Sequence, residues 1–200
     1  MKLKMRWHDS HRERGHRLIR RAQDVLFAFG ILALGSCALA YFEATFSQFY
    51  EHYDFERSLK LPHPPMPAPE TNVSRLEIPR LGLDVMVREG VASRTLRIGA
   101  GHVPGTASAG EVGNVVIAAH RDTFFRELRK IRADDTVVLE TLQGAYQYSV
   151  EWTRVVEPSD REALAASNDP MLTLVTCYPF YYVGPAPQRF IVRARRVTPR

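Results

Sequence analysis

Apolar and polar residues alternate with a period of two over several short stretches in the second half of the chain. Tyr146, Tyr148, Val150 and Trp152 alternate with Gln147, Ser149 and Glu151, the spacing of a half-buried strand. Similar short apolar runs, separated by turn residues, recur at 75–78, 83–87, 114–119, 136–141, 146–156, 171–177 and 189–197. Gly99, Gly101, Gly105, Gly110 and Gly113 punctuate a long loop region. Helical signals are few here. Ser159-Asp160-Arg161-Glu162 has a capping-box pattern that predicts a short helix through Ala166, and 123–130 predicts a helical turn. Many short strands with few helices predict a mainly β fold, a closed or nearly closed β-barrel.

The first half of the chain has a different pattern. Val25 to Phe42 is an uncharged apolar run of eighteen residues, long enough to cross a bilayer as a helix. Phe42, Phe46, Phe49, Tyr50 and Tyr53 then fall on one helical face. That stripe suits either a membrane interface or packing on the folded domain. Residues 61–69 (LPHPPMPAP) are Pro-rich and predict an extended, stiff spacer. The chain thus divides into a basic tail (1–24), a span (25–42), a juxtamembrane helix with linker (43–73) and a β domain (74–200).

Charge sharpens this division. The net charge is +5, and the tail ahead of the span holds eight basic against three acidic residues. The remainder balances at 19 of each, so the basic pI is no sign of a nucleic-acid-binding domain. The positive-inside rule puts the N-terminus in the cytoplasm and the β domain outside. Glu43-Ala44-Thr45-Phe46 is not a small-x-small cleavage site, and the apolar run exceeds a usual signal core, so the span reads as an uncleaved single-pass anchor.

The candidate chemistry lies at strand ends. The chain has two cysteines, and Cys37 is within the apolar span. Cys177 closes the run 172–177, His120 follows the run 115–119, and Arg189 opens the last run. Singly, each has a bland reading: a packed thiol, a structural imidazole, a surface cation. Together they suit acyl transfer. A thiol is mostly protonated at neutral pH, and a nearby imidazolium or guanidinium stabilises its thiolate. His120 is placed to protonate a leaving amine. Arg189 offers permanent charge to a developing oxyanion, with Thr176 as a supporting group.

With these residues in view, the chain resembles the sortases, membrane-anchored cysteine transpeptidases of bacteria. Thr173-Leu174-Val175-Thr176-Cys177 matches their TLxTC signature, Ala118-Ala119-His120-Arg121 the segment of their catalytic His, and Gln188-Arg189-Phe190-Ile191-Val192 the strand of their catalytic Arg. Gly101-His102-Val103-Pro104-Gly105-Thr106 and 110–114 resemble the segment ahead of the His, so the likeness runs from about Leu76 to Val197. The wording of 120–125 and of Cys177-Tyr178-Pro179-Phe180 is similar to class D sortases.

The resemblance implies an eight-stranded sortase β-barrel after an N-terminal transmembrane helix. It also implies attack of Cys177 on the Thr–Gly bond of an LPxTG-like signal, a thioacyl intermediate, and its resolution by an amine. The implied catalytic residues are His120, Cys177 and Arg189. Thr176 is a helper, and Tyr178, Pro179, Phe180 and His102 are candidates for the groove. The implied partners are secreted proteins with a C-terminal sorting signal, an amine acceptor (peptidoglycan precursor or pilin lysine) and membrane lipid, with no nucleic acid. No cofactor is required. Calcium binds some family members, but Asp134, Asp135 and Glu140 read here as a solvated turn. A hydrolytic cysteine peptidase with the same three residues, and a non-enzymatic envelope β-domain, are the alternatives.

Overall fold

In the computed structural model, which describes residues 6–60 and 73–197, each short apolar run after residue 74 becomes a strand. The strands are β1 (Ser74–Ile78), β2 (Leu83–Glu89), β3 (Ala100–His102), β4 (Asn114–Ala118), β5 (Thr136–Thr141), β6 (Gly144–Val156), β7 (Met171–Tyr178) and β8 (Gln188–Val197). They close into a barrel in the order β1-β2-β3-β4-β7-β8-β6-β5. Two neighbouring pairs, β2/β3 and β4/β7, are parallel; the others are antiparallel. Parallel neighbours need a crossover. Between β2 and β3 it contains a short helix, Ser93–Ile98; between β4 and β7 it contains β5 and β6.

Two glycines are required by geometry. Gly82 adopts φ 61° to turn β1 into β2, and its N–H donates to Pro79 O. At Gly101 a Cβ would lie 2.2 Å from Gly90 O, so only glycine lets β3 run this close to the end of β2.

The side chains that point inward fill the barrel. Val115, Ile117, Leu172, Leu174, Val192 and Ala194 belong to one core cluster with residues from every other strand, β3 contributing Ala100. The segment after β4 closes one end of the barrel: Phe125 and Leu128 are fully buried in that cluster. Burying two such side chains stabilises the segment by about 1.5–3 kcal/mol each.

Ahead of the barrel lies one long helix, α1, over Arg6–Leu59. Among the described residues it is the one helix long and apolar enough to cross a membrane, with a mean hydropathy of 2.2 in its most apolar window. The chain divides at Glu43, and Ala44 onward belongs with the barrel. Within that unit the aromatic stripe is exposed: Phe46, Phe49, Tyr50 and Tyr53 all remain at 57% or more. A different, largely polar face packs on the barrel. Gln48 Nε2 donates to Ile98 O (2.6 Å), and its Oε1 accepts from Met86 N–H (2.9 Å). Glu51 pairs with Arg88, Glu56 with Arg75, and Phe55 is 4% exposed. The Pro-rich spacer, 61–69, lies outside the described residues.

One helical expectation is corrected and the other holds in part. The capping-box segment forms a 3-10 turn at Glu162–Leu164, with Asp160 rather than Ser159 accepting from Glu162 N–H. The segment 123–130 is a turn followed by a 3-10 helix at Arg126–Lys130.

Candidate active site

Strand register determines which side chains share a face. In β7/β8, Cys177 pairs with Arg189, and directly opposed residues project to the same side of the sheet. In the parallel pair β4/β7, Ala118 aligns with Val175. His120 and Cys177 each lie two residues further on, which preserves the side-chain parity. The ladder continues past the end of β4: Ala119 N–H donates to Val175 O (3.3 Å). Leu172, Leu174, Ile117 and Val192 have the opposite parity and are in the core. His120, Cys177 and Arg189 therefore lie together on the outer face of the barrel, at one end. His120 is exposed; Cys177 and Arg189 are half-buried.

Neighbouring groups hold these three in place. Thr176 is 2% exposed, and its hydroxyl donates to Ala119 O at 2.7 Å. Its proton is thus committed to joining the nucleophile strand to the residue before His120, and what it supplies is position. On the other side, His120 O accepts from Phe125 N–H (3.0 Å), so the buried Phe125 anchors the turn. The Arg189 Nη1 donates to Ala186 O and Gln188 O at 3.3 and 3.0 Å.

Arg121 is a positioning residue that sequence reasoning gave no role. It is buried, and its Nη2 donates to Tyr182 O (2.7 Å) and Gly184 O (3.1 Å) in the loop between Cys177 and Arg189. Its guanidinium also lies over the Tyr182 ring. One side chain beside His120 thus ties the loop that follows Cys177. Its adjacency to His120 was the available signal.

Of the remaining candidates, Tyr178, Pro179 and Phe180 follow Cys177 directly, and His102 lies apart. Tyr178, Phe180 and Phe190 form an aromatic cluster with centroids 5.2–6.3 Å apart. Phe180 packs against the core and Tyr178 has the parity of Thr176, so they support the loop from beneath, with Pro179 half-buried between them. His102 is not brought to the site. It pairs with Ile117 and therefore points inward. There its Nδ1 lies 2.8 Å from Glu89 Oε2, and its Nε2 3.0 Å from both Ala107 O and Thr106 Oγ1. It lines a cavity at the barrel mouth with Val87, Val115 and Leu139. Among the described residues no group of three or more His, Cys, Asp or Glu could hold a metal ion.

A Cys, a His and an Arg on the outer face of such a barrel are the parts of a thiol acyl-transfer site. Residues 76–197 match the family model of the sortase domain. The chain belongs to the sortase family. This sortase is 35% identical over 133 residues to Sortase D of Bacillus subtilis, covering 65% of this chain and 67% of the relative. It is 26% identical over 109 residues to Sortase A of Listeria monocytogenes, covering 52% of this chain and about half (49%) of that relative's length. Among solved structures it is similar to a Sortase D5 transpeptidase of Clostridium perfringens (TM-score 0.64, 23% identity, 78% of this chain and 98% of that one), a likeness of fold. It is also similar to Sortase A of Corynebacterium diphtheriae, with a TM-score of 0.62 and 28% identity over 68% of this chain and 66% of that one.

Proposed function

We propose that this sortase is a membrane-anchored cysteine transpeptidase acting on secreted proteins with an LPxTG-like C-terminal signal. The observation that carries the reading is the register: Cys177 opposite Arg189, and His120 two residues beyond the Ala118–Val175 pair. Cys177 Sγ attacks the carbonyl carbon of the signal's Thr, and the thiol proton passes to His120. The C–N bond to the next residue breaks as His120 protonates the leaving amine, which leaves a thioester on Cys177. Arg189 stabilises the oxyanion of each tetrahedral intermediate. An acceptor amine then attacks the thioester, its proton goes to His120, and the thiolate leaves and is reprotonated. The acceptor is an amine of a peptidoglycan precursor or a pilin lysine. The apolar helix anchors the enzyme with its basic tail in the cytoplasm and the barrel outside. The chemistry draws on the chain's own residues, with no cofactor.

Intact mass of the full chain in detergent, incubated with an LPxTG-type peptide, tests this. An acyl adduct on Cys177 that passes to added triglycine is expected. Release of a free carboxylate, with triglycine present in excess, would mark a hydrolase instead. No adduct across a panel of sorting peptides would overturn the reading.

A further inference from the structure

Within the unit that holds the barrel, the helical stretch 44–59 has two opposite faces. One is held by β1, β2 and the helix before β3: Gln48 bonds to Met86 and Ile98, Glu51 to Arg88 and Glu56 to Arg75. At about 100° per residue, Phe46, Phe49 and Tyr53 lie nearly half a turn round from Gln48, Glu51 and Phe55. With the flanking Tyr50 they are 57–70% exposed. Four aromatic side chains at about 200 Å² each thus leave on the order of 500 Å² of contiguous apolar surface open. Monomeric soluble proteins rarely expose a patch of this size without a use for it.

The barrel does not cover this face, because it holds the other one. A helix that lies on a bilayer surface carries basic residues along its polar edge. Here the charged residues exposed beside the stripe within 44–59 are Asp54 and Arg57, one of each sign. No basic edge draws the stripe to an anionic lipid surface. A second copy of the chain fits better. Phe42, Phe46, Phe49 and Tyr53 are spaced by four, three and four residues, the a and d positions of a parallel two-helix seam. Upstream the same seven-residue phase falls on Val25, Leu32 and Leu39, all exposed. Inside an apolar run that phase carries no information by itself. Past Glu43, where Ser47, Gln48, Glu51, His52 and Asp54 interrupt the run, the exposed aromatic residues still keep to it.

We infer that this sortase works as a parallel homodimer, its two copies joined along Phe42, Phe46, Phe49 and Tyr53 of α1. Pairing two such aromatic faces covers up to about 1,000 Å² in total, the lower limit for a specific interface, before the apolar run adds its share. β1 and β2, which hold the helix, stand opposite β7 and β8 in the barrel order. The barrels therefore lie outside the helix pair without meeting, and both Cys177 sites face away from the shared axis, open to substrate. The parallel register rests on the anchor reading above, since chains inserted the same way in one membrane present the same residues to each other.

The test is disulfide mapping on the full chain in vesicles of phosphatidylethanolamine and phosphatidylglycerol, at low protein density. In a Cys37→Ser, Cys177→Ala background, single thiols are placed by Phe46→Cys, Phe49→Cys or Tyr53→Cys in the seam, and by Thr45→Cys or Asp54→Cys on its flanks. Copper phenanthroline in air is the oxidant. Seam positions of a parallel pair bring their Cα atoms within disulfide reach, below about 7 Å, and flank positions do not. Linked dimer should be about five- to tenfold more abundant at all three seam positions than at either flank. Phe49→Lys added to Tyr53→Cys should remove most of that product; Phe49→Ser, the milder change, should lower it should the Lys variant not insert. Equal yields at seam and flank, or none at any position in vesicle-bound chain, overturn the dimer alone. Quenching of a bimane at the Phe49→Cys position by brominated lipid, without seam cross-links, assigns the stripe to the bilayer surface and likewise overturns it. Release of the chain from the vesicles by alkaline carbonate overturns the anchor reading and this inference with it.

Discussion

On the inner face of β4, β7 and β8, the side chains of Val115, Ile117, Leu172, Leu174, Val192 and Ala194 are all at or below 2% exposed. One residue along the same strands, the outer face presents Ala118, Val175, Cys177 and Arg189, all half-buried. The two faces share one backbone and one register. A slip of a single residue would carry the leucines out and the reactive groups in. Packing on the inside therefore aims the chemistry on the outside, and substitutions on the two faces should separate cleanly in what they damage.

The largest effect belongs to the outer face. Cys177→Ala should abolish the adduct and all turnover while leaving the melting temperature within a few degrees, as for other substitutions away from the core. Loss of fold with that change would break the comparison. Arg189→Lys keeps the charge but loses the planar fork, and kcat/KM should fall by about 10²-fold at unchanged stability. On the inner face, Leu174→Ala should cost about 2–5 kcal/mol in chemical denaturation, with kcat per folded molecule nearly unchanged. Thr176→Val sits between the faces. Removing its hydroxyl leaves the Ala119 carbonyl unpaired in the interior, for about 1–3 kcal/mol of stability together with a lower kcat as His120 loses its brace.

The smallest effect lies away from the outer site. Arg80 and the Arg132 N–H hold the Asp135 carboxyl below the usual carboxylate range. A depressed folded pKa means that the stabilisation is complete above about pH 4, the unfolded value, and is lost as pH falls toward the lower folded value. Asp135→Asn should lower the melting temperature by a few degrees at pH 7, and the gap to the unsubstituted protein should close below about pH 4. A gap independent of pH would assign the loss to shape rather than charge.

Seven of the eight strands were legible because each combines an apolar run with turn residues at its ends; 136–141 matches β5 at both limits. β3 was not, because Ala100-Gly101-His102 is short and glycine-bearing, and its strand character comes from pairing with β2 and β4. The helix Ser93–Ile98 carries no side-chain cap to announce it. The aromatic stripe of α1 drew attention in the sequence, yet Gln48, Glu51 and Phe55 make the packed face. Hydrogen bonds to Met86 and Ile98 leave no periodic apolar trace. The three strand-end residues Cys177, His120 and Arg189 stood out as types, whereas the inward aim of His102 follows from a register that only the folded sheet defines. Thr173 and Asn114 read as ordinary strand residues, yet the buried Thr173 hydroxyl donates to Asn114 Oδ1 (2.7 Å) and Asn114 Nδ2 to Ala165 O (3.1 Å) in the loop before β7.

The parallel ladder of β4 and β7 also has a kinetic consequence. Asn114 pairs with Met171, 57 positions on in the chain, closing a loop that contains two further strands. Contacts this distant in sequence form late and slowly. A refolding chain should thus complete its local hairpins before Cys177 meets His120. Capture of an acyl donor by the thiol should follow the slowest folding phase, so that reactivity itself reports a finished barrel.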